Sequence, residues 1–251
     1  MGCNNVNREL EFYLDVATGN IGGVSNISKF GYNHQISSTA FETIWEGSNA
    51  YPWQTVADQL EVLSSSANDT SAGTGARTVE LEGLDSSWNL LTETVTMNGT
   101  TAVTTTGSFL RIFRARVVTA GTSLINTGDI TIRDQDTSTT RAIITNSVGK
   151  SMGQTLMAIY TVPAGKTAYV INLNFSSGKD LEQEYRLMAR DNTVANAAWN
   201  VREFVTGRGG FSDFPKEAIN KYTEKTDLDL QAISSATSSA AGGMELILID
   251  N

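Results

Sequence analysis

Four runs between Thr78 and Arg133 decide the fold: TVELEGLD (78–85), LLTETVTM (90–97), FLRIFRARVV (109–118) and DITIR (129–133). Each is rich in β-branched residues and roughly alternates apolar with polar positions. That is the pattern of a strand with one face in a core. Ser, Asn, Gly and Thr fill the gaps, which is turn chemistry, and nothing between the runs has a helical period.

The same cadence extends in both directions. Upstream, LEFYLDV (10–16) reads as a first strand and Thr18 to Gly31 as a loop or extended arm. The stretch TVADQLEVL (55–63) fits a short helix or a strand equally well. SSSANDTSAGTGAR (64–77) is small and polar, and reads as a loop that buries nothing. Downstream, RAIIT (141–145) and TLMAIYTV (155–162) are strands, followed by the turn Pro163-Ala164-Gly165, a hairpin signal. KTAYVINLNF (166–175) places Tyr169, Ile171, Leu173 and Phe175 on one face. EYRLMARD (184–191), WNVREFVT (199–206), DLDLQAI (227–233) and MELILID (244–250) complete the series. In DLDLQAI, Asp227 and Asp229 alternate with Leu228 and Leu230, which reads as a strand wetted on one side.

Roughly a dozen strands at about 8–12-residue spacing indicate a sandwich or barrel. The prolines, Pro52, Pro163 and Pro215, fall in or beside expected turns. Neither a repeat nor a heptad run is present. The expectation is an all-β fold, a two-layer antiparallel β-sandwich of jelly-roll type with an N-terminal extension. Residues 1–30 form the arm and 31–251 a single sandwich domain.

Composition limits function. With 251 residues, 40% of them hydrophobic, the chain is long enough for a substantial core. The net charge of -9 disfavours nucleic acid, whose binding needs a basic face. Arg111, Arg114 and Arg116 in FLRIFRARVV are expected to line a solvent face or meet acidic neighbours. No apolar run approaches a membrane span, and MGCNNVNREL has no signal-peptide core. Gly2-Cys3 suggests acylation, but Val6 stands where that pattern requires Ser or Thr. Cys3 is the one cysteine, so the chain has no internal disulfide.

Catalytic groupings are sparse. His34 is the single histidine, which removes a multi-histidine metal site and leaves an ordinary polar residue. Cys3 has no local partner for nucleophilic work. The carboxylate pairs Glu80/Glu82, Asp134/Asp136, Asp180 with Glu182 or Glu184, and Asp227/Asp229 are the candidates for glycoside hydrolysis, and Glu80/Glu82 and Asp227/Asp229, two apart on strands, are near enough in space for it. Each is also what a solvent-facing strand or turn looks like. Asp134-Gln135-Asp136-Thr137 lacks the glycine and terminal glutamate of a calcium loop and reads as a capped turn. The expectation is therefore no enzyme, no cofactor and no metal. TGRGGFSDFP (206–215) reads as a flexible loop displaying Phe211 and Phe214, which either tuck into their own core or anchor a neighbouring subunit. Phe211, Phe214, Tyr51 and Trp53 are the candidate interface residues. Trp45, Tyr51, Trp53 and Trp88 would make a sugar-stacking platform if the chain bound host glycan.

Longer phrases add a resemblance. IWEGSNAYPW (44–53), the run from Val62 to Gly99, RIFRARVVTAGT (111–122), NTGDITIR (126–133), YTVPAGKTAYV (160–170) and EKTDLDLQA (224–232) resemble a virion structural protein family of tailed bacteriophages, especially aquatic and cyanobacterial ones. The similarity runs from about Phe30 to Ile249. It implies a particle component assembled in the host cytoplasm, partnered by major capsid protein or tail components and by copies of itself. A capsid-exterior decoration, cement or short-spike protein is the leading expectation. A tail, connector or baseplate component and a host-glycan adhesion module are the alternatives. The resemblance carries no catalytic residues.

Overall fold

The computed structural model describes residues 8–146 and 152–251. Along the chain come helix α1 (Arg8–Ala17) and strands β1 (Val24–Ile36), β2 (Glu42–Thr43), β3 (Asp58–Ser64), β4 (Ala76–Leu84), β5 (Leu90–Thr96), β6 (Val103–Phe109), β7 (Arg111–Ala120), β8 (Ile130–Asp134) and β9 (Thr140–Ile144). There follow β10 (Ile159–Thr161), β11 (Lys166–Ser177), β12 (Glu182–Asp191), β13 (Asn200–Arg208), β14 (Phe211–Tyr222), β15 (Thr226–Ser234) and β16 (Ser238–Asp250).

Eight of these strands make one sandwich. One sheet has the order β1-β16-β11-β14 and the other β10-β15-β12-β13, with β2 adding to β15. Antiparallel pairs are nested: β1 with β16, β10 with β15, β11 with β14, and β12 with β13. Taken as one long hairpin closed by the β12–β13 loop, successive pairs fall alternately into the two sheets. That nesting is the jelly roll.

Between β1 and β10 the chain leaves this sandwich and builds a second layered unit. Its sheets are β6-β3-β8-β9 and β5-β4-β7, again wholly antiparallel. One continuous core runs through both parts, with Phe109 and Ile112 from the insertion and Tyr160, Leu228 and Leu230 from the jelly roll. The Phe113 and Tyr160 rings meet across the junction at 5.0 Å. The hydrophobic pattern announced the strands but not the insertion. Every strand of either part has one apolar face, and alternation does not say which partner face it covers.

Several local expectations need correction. LEFYLDV is a helix, not a strand: α1 spans it, and Gly19 (φ 75°) ends it, with the Thr18 and Gly19 amides donating to Leu14 and Val16 carbonyls. The stretch 18–31 is not all loop, because β1 starts at Val24. Gly31 within β1 passes so close to β2's neighbour Ile44 that a Cβ would lie 2.0 Å from the Ile44 carbonyl oxygen. TVADQLEVL resolves as strand β3. The turn Pro163-Ala164-Gly165 forms, with Gly165 at φ 72°, but it joins β10 to β11 in opposite sheets and so makes a corner rather than a hairpin.

KTAYVINLNF holds its predicted face only in its second half. A bulge at Ile171 shifts the register against both neighbours, so Ala168 and Val170 point inward before it and Leu173 and Phe175 after it. Pro215 lies inside β14 rather than in a turn, which its place on an edge strand at that same irregularity permits. TGRGGFSDFP is no loop either. Gly209 and Gly210 (φ 61° and 72°) turn the chain from β13 into β14.

The loop 64–77 does bury something. Asp69 is fully enclosed and accepts hydrogen bonds from Ser64 Oγ (2.6 Å) and from the amides of Ala76 (2.7 Å), Thr127 (2.8 Å) and Gly128 (2.9 Å). A short polar residue with many local donors replaces an apolar core here.

Candidate functional site at the junction

Where the insertion meets the jelly roll, a buried carboxylate holds two guanidinium groups. Asp227 on β15 was expected on a wet face; it is 0% exposed, and nearly every residue of β15 is buried with it. β15 lies inside its sheet, and the insertion covers the face that a plain sandwich would leave to water. Arg111, from the first position of β7, donates Nε to Asp227 Oδ1 at 2.9 Å and Nη2 to Oδ2 at 3.0 Å. Arg190, from β12, donates Nε and Nη2 to Oδ2 at 3.2 and 2.7 Å. Thr161 Oγ1 (2.6 Å) and Asn192 Nδ2 (2.7 Å) complete the carboxylate's shell. Arg111 Nη1 donates to the Gln54 and Leu110 carbonyls, both at 2.8 Å.

Tryptophans are interleaved with these cations. The Arg111 guanidinium lies 4.9 Å from the Trp88 ring and 5.3 Å from Trp53, and Arg190 lies 4.6 Å from Trp199. Trp53 and Trp199 meet at 5.3 Å. Weakly hydrated, planar guanidinium groups suit such stacking. Trp88 sits at φ 67° in the β4–β5 turn, where Asp85 Oδ1 accepts the Ser87 and Asn89 amides. A bulky residue in that region is a genuine outlier.

A second acid, Asp229, lies two residues along. Its Oδ2 accepts from Gln231 Nε2 (2.8 Å) and Thr43 Oγ1 (3.1 Å), while Oδ1 has no partner among the described residues. Burial pushes its pKa up to about 6, opposed by those hydrogen bonds. On the far side of the junction, Lys29 of β1 is buried with its ammonium on the Phe113 carbonyl. Burial, then the Arg114 charge, lowers its pKa to about 7.

Beside the Asp227 cluster a groove of about 360 Å³ opens to solvent, lined by Trp88, Leu110 and Arg111 on one wall and Arg190, Asn192 and residues 194–197 on the other. The remaining residues singled out from sequence scatter. Phe211 is 69% exposed, whereas Phe214 packs partly against the core, its ring 6.0 Å from Phe175. Tyr51 is 4% exposed and meets Trp45 and Trp53 edge to face. Trp45 and Tyr51 thus belong to the interior, Trp53 packs partly buried among the cations, and of the sugar-platform set Trp88 lines the groove. Trp199, unannounced by any short motif, joins Trp53 beside Arg190.

The arginine trio separates: Arg111 is buried, Arg114 donates to the Ser28 carbonyl, and Arg116 pairs with Glu80 at 2.7 Å. Asp134 is buried against Arg141 and caps its turn through Thr137, and Asp180 pairs with Arg208 at the surface. His34 is exposed on β1, and Cys3 lies outside the described residues. Among the described residues, no three His, Cys, Asp or Glu side chains are placed to hold a metal ion, and no helix is long and apolar enough to cross a membrane.

No family model matches the chain, and no curated protein matches it. Among solved structures it is similar to that of infectious bursal disease virus Gt strain, at 12% identity over 91% of this chain and 73% of that one, TM-score 0.26. Particles (T=1) derived from infectious bursal virus give 10% identity, 91% and 70% coverage and a TM-score of 0.25. A Bacillus thuringiensis Cry1Da tryptic core variant gives 11%, 78% and 51%, and 0.19. Likeness of this degree assigns neither family nor function.

Proposed function

We propose that the protein is a non-enzymatic structural component of a virus particle, specifically a tailed-phage virion protein on the capsid exterior, which assembles through one flank of its jelly roll. The observation that carries this reading is the open flank formed by β13 and β14. Each is the edge strand of its own sheet, and one tight turn joins them. Along these edges Val201, Phe204, Phe211 and Ile219 stand more than half exposed. Between the strands a cleft of about 320 Å³ is lined by Asn200, Arg202, Lys221 and Tyr222. Unpaired edges bearing apolar side chains are what monomeric β proteins avoid and what subunits of an assembly use. The nested jelly-roll strand order and the phrase-level resemblance to phage virion proteins support the same reading. The net charge of -9 favours a position facing away from packaged nucleic acid.

The occupant of the flank is a second copy of this chain or a neighbouring shell subunit. Sedimentation of the purified protein is expected to give an oligomer that Phe204→Asp with Phe211→Asp dissociates without altering its melting temperature. Cryo-EM of the particle is expected to place its density outside the head shell. A monomer at high concentration, together with density confined to the tail or absent from the particle, would falsify the proposal.

A further inference from the structure

We propose that the groove beside Trp88 and Arg190 binds an acidic sugar, its carboxylate on the Arg190 guanidinium and its ring against the indole wall. Charge is the first argument. Two guanidinium groups share the single carboxylate of Asp227, so that carboxylate pairs fully with neither and a cation stands at the base of the groove. Arg111 is sealed in, with four of its five N–H groups engaged by Asp227, Gln54 and Leu110. Arg190 is not: only two of its N–H groups reach Asp227, and its side chain remains 20% exposed at the groove. Its remaining N–H groups, without a hydrogen-bond partner among the described residues, present the planar fork that recognises a carboxylate in bidentate fashion.

Shape and chemistry of the walls narrow the ligand further. Trp88 and Leu110 supply apolar surface, while Gln54, Thr55 and Asn192 supply amide and hydroxyl groups. Gln54 is buried, its Nε2 is committed to the Phe109 carbonyl and Asp134, and its Oε1 has no partner among the described residues. An apolar wall, a cation and several neutral polar groups match a ring that carries one acid and several hydroxyls. Inorganic phosphate would use the cation and the polar donors but leave the apolar wall without a partner. At about 360 Å³ the groove lies at the small end of ligand pockets and admits a single ring unit of a glycan.

The strained turn fits this use. Trp88 at φ 67° has its carbonyl tied to the Ala164 amide (2.9 Å) and its amide to the Asp85 carbonyl (3.0 Å), so the turn that carries the indole is held before any ligand arrives, and the ring rests on the Arg111 guanidinium. Outliers of this kind concentrate where geometry is functional. Preorganisation of that sort lowers the ordering cost of binding.

The test titrates the full chain with glucuronic acid, N-acetylneuraminic acid, glucose and inorganic phosphate, read by tryptophan fluorescence and saturation-transfer NMR. Because Arg190 also grips Asp227, Ala195→Phe serves as the blocking variant. Ala195 is an exposed residue on the groove wall, outside the charge network. Both acidic sugars are expected to bind in the millimolar range or tighter, with glucose about tenfold weaker or more for want of the charge-assisted pair. Ala195→Phe is expected to abolish binding with an unchanged melting temperature. The proposal is overturned if neither acidic sugar binds, if glucose binds as well, if phosphate binds while the sugars do not, or if Ala195→Phe binds undiminished. Placement of the protein on a particle is read separately, so either result stands without the other.

Discussion

Replacing Asp227 with Asn tests whether the two halves of the molecule are held at one buried point. The substitution keeps the shape and removes the charge, and an amide nitrogen then faces donors on Arg111, Arg190, Thr161 or Asn192. Arg111, whose side chain is 3% exposed, is left without its anion and with little access to water. Breaking a buried pair from one side costs about 3–5 kcal/mol, because the remaining charge is uncompensated. For a chain of this length each kcal/mol moves the melting temperature by about 2–4 °C, so a fall of roughly 6–20 °C is expected. Differential scanning calorimetry of wild type, Asp227→Asn, Arg111→Met and the double variant closes a thermodynamic cycle. The double variant is expected to lose much less than the two single losses added together, since it leaves only Arg190, which reaches solvent. A loss below about 0.5 kcal/mol for Asp227→Asn, or simple additivity, refutes the reasoning.

Lys29→Met is expected to stabilise the protein. The folded pKa is depressed to about 7 from 10.5, so the wild type loses stability as pH falls from 10.5 towards 7, at about 1 kcal/mol per pH unit; urea melts at pH 7, 8 and 9 should show that slope shrinking in the variant. Asp229 works with the opposite sign. Its folded pKa is raised to about 6, so its contribution is complete below 3.8 and is lost as pH rises to 6. Asp229→Asn should therefore gain about 1–2 kcal/mol at pH 7 and nothing at pH 3.5, measured in the same way. Asp69→Ala strands two buried amides and a part-buried one and should cost about 3 kcal/mol or more, with hydrogen exchange accelerated first in residues 64–76 and 126–128. Gly31→Ala drives a Cβ into the Ile44 carbonyl and should prevent soluble expression at 37 °C, scored on gels of the soluble fraction.

The strands were legible where one face was covered and the other wet, as from Thr78 to Val118, because period-two alternation records that difference directly. Legibility failed where both faces were covered. In β15 the aspartates at 227 and 229 alternate with leucines as on any half-exposed strand, and only the partner residues, Arg111 at 116 positions' distance among them, show that both faces are interior. The bulge at Ile171 was invisible for a related reason. It inverts inward and outward halfway along a run whose residues, Val, Ile, Asn and Leu, read as a continuous alternation. The helix at Arg8–Ala17 has the mixed composition of a strand, and its end is marked only by Gly19. Of the site, Trp53 and Trp88 were visible as members of the aromatic set that the sequence offers for sugar stacking. Arg190 and Trp199 come from a distant hairpin and had no local signal.

The nested pairing has a consequence for synthesis. Val24 pairs opposite Ile249, so β1 waits for more than two hundred further residues before its neighbour exists. The excursion from β3 to β9 closes on itself within fewer than ninety residues and is free to condense first. Until β16 emerges, β1 is a bare ribbon with an adhesive margin, and a ribosome carrying it is a place where two nascent chains in one cell can exchange strands.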